Sequence, residues 1–337
     1  MSPRSIVILG SATALALVLA VATSLSWSTR DAVSQRGAAL LPALNKRVGD
    51  IALISVQTDS ETMTIKRDGD TFTDGSSGYP VKREAVRNLV ASVVVMGIEE
   101  KKTGDASRHG ELDLAAPDQK DGAGTKISFL SKDGSVIGAL IAGKNDYTVG
   151  GVSGGQYVRS ASDDQTYLVR GSAKLPYSRA AWFDTKLLEV KTPTIVRASL
   201  TANGTKQVAL TKVGEVLKLV DLPEGKVEDS DKISRISKLF ESLSFADVRA
   251  HSKDMKADGN TVTIGTDEGL SVTIASVEQN TDETHWVRIS LDGSEPKVKD
   301  RAEALAKRLD GFEFKLSKQN SEVIGWSVAD LTKDAQS

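Results

Sequence analysis

Met63-Thr64-Ile65-Lys66-Arg67-Asp68-Gly69-Asp70-Thr71-Phe72 alternates apolar and polar side chains around an Asp-Gly pair, the pattern of a β-hairpin closed by a primed turn. Upstream, Ile51, Leu53 and Ser55 give a further strand pattern. Downstream, Pro80 introduces residues 81–97, where Val86, Leu89, Val90, Val93 and Met96 recur at helical spacing, as an amphipathic helix requires. A short polar strand over residues 98–102 follows. The stretch therefore predicts an antiparallel sheet covered by one helix.

The same order returns in the second half of the chain. Ile195-Val196-Arg197-Ala198 matches the first strand, Val208-Ala209-Leu210 the second and residues 216–220 the third. Asp229 and Ser230 are placed to cap a helix whose Ile233, Ile236, Leu239, Phe240 and Leu243 share one side. Further on, Ile127-Ser128-Phe129 matches Val262-Thr263-Ile264, and Tyr157-Val158-Arg159 matches Trp286-Val287-Arg288. An additional amphipathic helix over residues 298–309 distinguishes the second copy. These matches predict an α+β fold: two tandem duplicated units over residues 50–192 and 193–333, each an antiparallel β-sheet or meander with a packing helix. The split falls near Lys191-Thr192-Pro193.

Ahead of the duplication, residues 5–27 carry no charged side chain and are mostly aliphatic. A helix of that run is roughly 34 Å long, enough for a hydrocarbon core of about 30 Å. The expectation is an N-terminal transmembrane helix within residues 1–30, a juxtamembrane segment over 31–49, and a single pass through a bacterial inner membrane. The N-terminus is then cytoplasmic and the bulk of the chain periplasmic. Ala20-Val21-Ala22 offers a signal-peptide cleavage pattern, but the apolar run is long for one, and Leu25 and Trp27 extend it. Ala12, Ala16, Ala20 and Ser24 form a small-residue stripe of the kind along which membrane helices pack.

Composition narrows the function classes. The 337 residues contain 43 basic and 45 acidic side chains, a net charge of −2; no basic field is present to hold a nucleic-acid backbone. With no cysteine, disulfides and thiolate metal sites are excluded. The three histidines, His109, His251 and His285, lie far apart in sequence, without metal-ligand spacing. The glycine-rich run 150–155 leads into a strand pattern rather than a helix, so it reads as a hairpin connection and not a phosphate loop. Asp68, Asp70 and Asp74 lack the calcium-loop pattern, and no G-x-S-x-G elbow occurs. No catalytic, cofactor-binding or metal-binding residue is expected. Tyr157, Arg159, Trp286 and Arg288 occupy matching places in the two copies. They are the candidate interface residues, because aromatics and arginines are favoured where proteins meet; core packing with a snorkelling Arg is the competing reading.

Leu112-Asp113-Leu114-Ala115-Ala116-Pro117, Ile141-Ala142-Gly143, Gln156-Tyr157-Val158-Arg159, Thr166-Tyr167-Leu168-Val169 and Trp182-Phe183-Asp184 occur in this order, preceded by Leu41-Pro42-Ala43-Leu44. The series resembles the bacterial family called domain of unknown function 4340, over roughly residues 40–190 and more weakly in the second copy. Where the family's first landmark usually reads tyrosine-glycine-leucine, this chain has His109-Gly110-Glu111-Leu112. The resemblance implies single-pass envelope proteins associated with ABC-type transporter and gliding-motility-like auxiliary genes, and supplies no catalytic residues. The expected function is a non-catalytic, membrane-anchored periplasmic accessory subunit of an ABC-type transport complex, a platform for protein or substrate. Its partner is the permease or a sibling accessory subunit. An envelope or cell-wall glycan-binding module is the alternative, and an envelope hydrolase a third.

Overall fold

The computed structural model describes residues 36–119, 121–149, 154–252 and 255–335. They divide into two compact units: the first takes in the chain up to Tyr177 except 77–79, and the second takes in Ser77–Tyr79 and the chain from Ser178 onward.

In the first unit, β1 (Leu53–Gln57) buries Ile54 and Val56 on one face and pairs antiparallel with β2 (Thr62–Asp68). A two-residue turn leads to β3 (Thr71–Asp74). Of the two turn residues only Gly69 has a positive φ, +57°, which is what a type II′ hairpin requires of its first position. Helix α1 (Arg83–Val94) buries Val86, Leu89 and Val93. The chain then passes to β4 (Gly97–Lys101) at the far edge of the sheet. β5 (Thr125–Leu130) returns to the free side of β1, and β6 (Val136–Asp146), β7 (Gly155–Ser160) and β8 (Thr166–Arg170) continue from it, giving the order β3-β2-β1-β5-β6-β7-β8-β4.

The second unit opens with the short β9 (Lys186–Leu188) and repeats that order. β10 (Ile195–Ala202), β11 (Thr205–Val213) and β12 (Val216–Leu219) correspond to β1–β3. The β10–β11 turn is Asn203-Gly204 with φ of +51° and +77°, both positive as type I′ demands. Gly214, φ +63°, repeats the role of Gly69 in the β11–β12 turn. After β13 (Lys226–Glu228), helix α2 (Ser230–Glu241) is capped by the Asp229 carboxylate, which accepts from the amide of Lys232 at 3.3 Å. The helix buries Ile233, Ile236, Leu239 and Phe240. β14 (Leu243–Ser244) pairs with β9. β15 (Asp247–Ala250), β16 (Thr261–Thr266), β17 (Leu270–Gln279), β18 (His285–Gly293) and β19 (Phe312–Lys315) complete the order β12-β11-β10-β16-β17-β18-β19-β15. Helix α3 (Pro296–Leu309) lies between β18 and β19, where the first unit has only residues 161–165. Finally β20 (Thr332–Asp334) pairs with β13.

The α+β expectation with an N-terminal transmembrane helix is corrected by this architecture. The described chain is mostly β-sheet, two eight-stranded antiparallel sheets, and among the described residues no helix is long and apolar enough to cross a membrane. The physical reason for the larger β content is that β1 is bonded on both sides, to β2 and to β5. What reads as a separate meander therefore extends the first sheet, and the eight strands are accompanied by the 12-residue α1 and a five-residue helix, Pro42–Lys46. The apolar run 5–27, with Ala12, Ala16, Ala20 and Ser24, lies outside the described residues.

Candidate functional site

Register makes Tyr157-Val158-Arg159 and Trp286-Val287-Arg288 equivalent. Val158 pairs with Ala142 and Tyr167; Val287 pairs with Ser276 and Phe314. Both valines are fully buried, so strand alternation turns each aromatic and arginine to the opposite face. There the arginines hold down the long connection that follows β4 in the first unit and β15 in the second. Arg159, only 5% exposed, donates from Nε to the Leu114 carbonyl at 2.9 Å and from a terminal nitrogen to the Asp163 carbonyl at 3.2 Å. Burial pulls its pKa down from the ordinary guanidinium value, with Asp164, Asp118 and Asp163 opposing. Arg288 donates to the carbonyls of Ser252 and Met255 at 3.0 and 2.6 Å. Five donors in a fixed fork suit an arginine to collecting several carbonyls at once.

The aromatics also share a partner type. Lys101 pairs with Tyr167 and Val248 with Phe314, so Lys102 and Arg249 occupy the same next position. Lys102 Nζ stands 6.0 Å from the Tyr157 ring centre and the Arg249 guanidinium 4.2 Å from that of Trp286, a cation–π arrangement in both units. The Tyr157 hydroxyl donates to Asp146 Oδ2 at 3.0 Å; burial and that bond raise its pKa. In the second unit the arginines converge on one fully buried carboxylate. Arg249 Nε reaches Glu313 Oε2 at 2.8 Å and Arg288 reaches Oε1 at 2.7 Å, while Arg249 also meets Glu278 at 2.7 Å. The equivalent of Glu313 in the first unit is Thr166, whose hydroxyl donates to the Thr103 carbonyl at 2.8 Å. Fastening is common to both units; the ionic form of it belongs to the second.

One cluster escaped sequence reasoning because its members lie in three separate segments. Ser276 Oγ is 2.6 Å from Asp258 Oδ2 and 2.8 Å from His285 Nδ1. A carboxylate only accepts, so the serine donates to Asp258 and accepts from the imidazole N–H. Nucleophilic catalysis needs the imidazole between serine and carboxylate; here the serine is in the middle and fully buried. Burial lowers the His285 pKa, with Asp258 opposing, which leaves a neutral ring at pH 7. The matching residues of the first unit are Ala142 and Gln156, and Gln156 donates to the Gly143 carbonyl at 3.0 Å. His109 is likewise structural, with Nε2 2.8 Å from the Asp164 carbonyl. His251 is exposed. Among the described residues no three His, Cys, Asp or Glu gather as a metal site. Gly150–Ser153 lie outside the described residues, and Gly155 begins a strand.

The second unit also holds an open cleft of about 480 Å³ between residues 184–190 and α3. Leu187, Leu270, Leu291 and Leu305 make it apolar, with Lys186 and Arg308 beside them; Arg308 donates to the Leu187 carbonyl.

Residues 72–261, more than half of the chain, match the family model described as Domain of unknown function (DUF4340). No curated protein and no solved structure matches.

Proposed function

The chain belongs to the DUF4340 family, and from that premise we propose that it is a non-catalytic accessory subunit of an ABC-type transport complex, a scaffold that binds a sibling subunit or the cargo. The observation that carries this reading is what the two units hold in common. Each keeps the eight-strand order, the turn glycine (Gly69, Gly214), the buried valine (Val158, Val287) and the arginine that ties down a loop (Arg159, Arg288). The reactive-looking groups differ between the units, Ser276 and His285 standing where the first has Ala142 and Gln156. A framework built twice around fastenings supports a role in holding surfaces in place. The glycan-binding alternative draws less support, because Arg249 already lies against the Trp286 ring that a sugar would stack on.

Affinity isolation of the tagged chain from its own cells, in mild detergent at native expression, tests the proposal. The ATPase and permease of one ABC transporter are expected to co-purify in fixed ratio. Recovery of the chain without any transport component overturns it, as does hydrolytic turnover of an envelope substrate that Ser276→Ala abolishes.

A further inference from the structure

One edge of each sheet is formed by the equivalent strands β3 and β12, and the two are treated differently. In the first unit β3 is closed by the chain itself: Pro80 bridges Thr73, and the Val81 amide donates to the Phe72 carbonyl at 2.8 Å. In the second unit β12 has no such cover among the described residues. The Val220 amide donates inward to the Ala209 carbonyl at 2.9 Å. Residues of that parity therefore face β11, whereas Leu217 and Leu219 point their backbone groups outward. The Leu219 amide is taken by the Glu228 carboxylate at 2.6 Å. The amide and carbonyl of Leu217, the equivalents of those at Phe72, meet no partner among the described residues.

Around this open position the surface is apolar. Nine large hydrophobic side chains are exposed among the described residues, and five of them, Val213, Val216, Val220, Leu222 and Val227, fall within this hairpin and the segment after it. Unpaired backbone beside exposed β-branched side chains is the arrangement that recruits another strand.

We infer that β12 is a docking edge for β12 of a second copy of this chain, forming an antiparallel junction about a twofold axis at Leu217. The strand fits itself. Pairing Leu217 with its mate lets the two residues exchange both backbone hydrogen bonds, and it sets Val216 opposite Lys218 of the other copy. The neighbouring register, Leu217 opposite Leu219, needs the amide that Glu228 holds, and it sets Lys218 directly against Lys218; like charges directly opposed are destabilising. Glu228 and Lys218 together select the first register. This junction requires only the second unit and holds independently of the transport role proposed above.

The chain contains no cysteine, so single substitutions report cleanly on the junction. Val216 and Lys218 are exposed, and their replacement leaves the core intact. Full-length chains bearing Val216→Cys and Lys218→Cys, distinguished by different tags, are co-expressed and mildly oxidised. A non-hydrogen-bonded antiparallel pair places Cα atoms about 4.5 Å apart, within disulfide reach, so the mixed disulfide should exceed the Val216→Cys with Tyr177→Cys control by about tenfold. Equal yields, or no mixed product, overturn the proposal. A dominant disulfide between two Lys218→Cys chains overturns the register and with it the role given to Glu228.

Discussion

Glu313→Ala is expected to destabilise the second unit by about 3 kcal/mol, the low end of the range for breaking a buried ion pair. The carboxylate is fully buried on β19 and bonded to Arg249 and Arg288. Its removal leaves two part-buried guanidinium groups short of their shared carboxylate: Arg249 keeps Glu278, Met255 Sδ and the Trp286 ring, and Arg288 keeps the carbonyls of Ser252 and Met255. The pH dependence follows from the same geometry. Burial pushes the Glu313 carboxyl up, and the hydrogen bonds and charges of Arg288 and Arg249 more than offset it, so it sits below the ordinary value. A depressed pKa in the folded chain means that the unfolded chain binds the proton more readily. The stabilisation is therefore complete above the ordinary carboxylate pKa and disappears as pH falls through the lowered one. Urea unfolding of the native chain and of Glu313→Gln checks this. The stability gap should be constant from pH 7 to about 5 and shrink as the carboxyl protonates below its ordinary range of about 4.3. A gap unchanged to pH 3 contradicts it.

Tyr79→Ala carries an effect of similar or larger size. Residue 79 precedes α1 in sequence but folds with the second unit. There its ring, 4% exposed, meets Phe183, Phe245, Phe312 and Phe314 edge-on, with centroids 4.9–5.8 Å away. Edge-to-face contacts of this kind add to the burial of the ring. Truncating a buried large aromatic to alanine typically costs about 3–5 kcal/mol, and that loss is expected in the unfolding of the second unit. Tyr79→Phe, which keeps the ring, should recover most of it. Near-ultraviolet circular dichroism through a urea titration reads both variants. An alanine variant that unfolds with the native midpoint would show that the aromatic cluster closes without Tyr79.

Local periodicity carried much of the secondary structure. The helical spacing of Val86, Leu89 and Val93 is visible without coordinates, and these residues are the buried face of α1. The cap at Asp229 and the turn glycine Gly69 follow from residue chemistry alone. Strand partnership is another matter. Nothing local in Leu53–Gln57 says that it bonds a strand seventy residues later, and this long-range pairing turned an expected α+β unit into a single wide sheet. The same limit hid Glu313, because a glutamate between Phe312 and Phe314 reads as a solvated charge until two arginines from β15 and β18 are seen to reach it. Tyr79 could not be placed either: its partners begin more than a hundred residues downstream. Arg159 and Arg288 were conspicuous by position, yet spacing cannot reveal that carbonyls of a distant loop receive their donors. The transmembrane reading of residues 5–27 has no counterpart among the described residues.

Arg159 and Arg288 are the fastenings of a duplicated framework, and hydrogen exchange measured by mass spectrometry tests this most directly. Arg159→Ala should raise exchange in residues 102–124 with the second unit unchanged. Arg288→Ala should raise it in residues 251–260 with the first unit unchanged. If both loops keep their native protection in these variants, the arginines are not what holds them, and the shared-framework argument for a scaffold loses its basis.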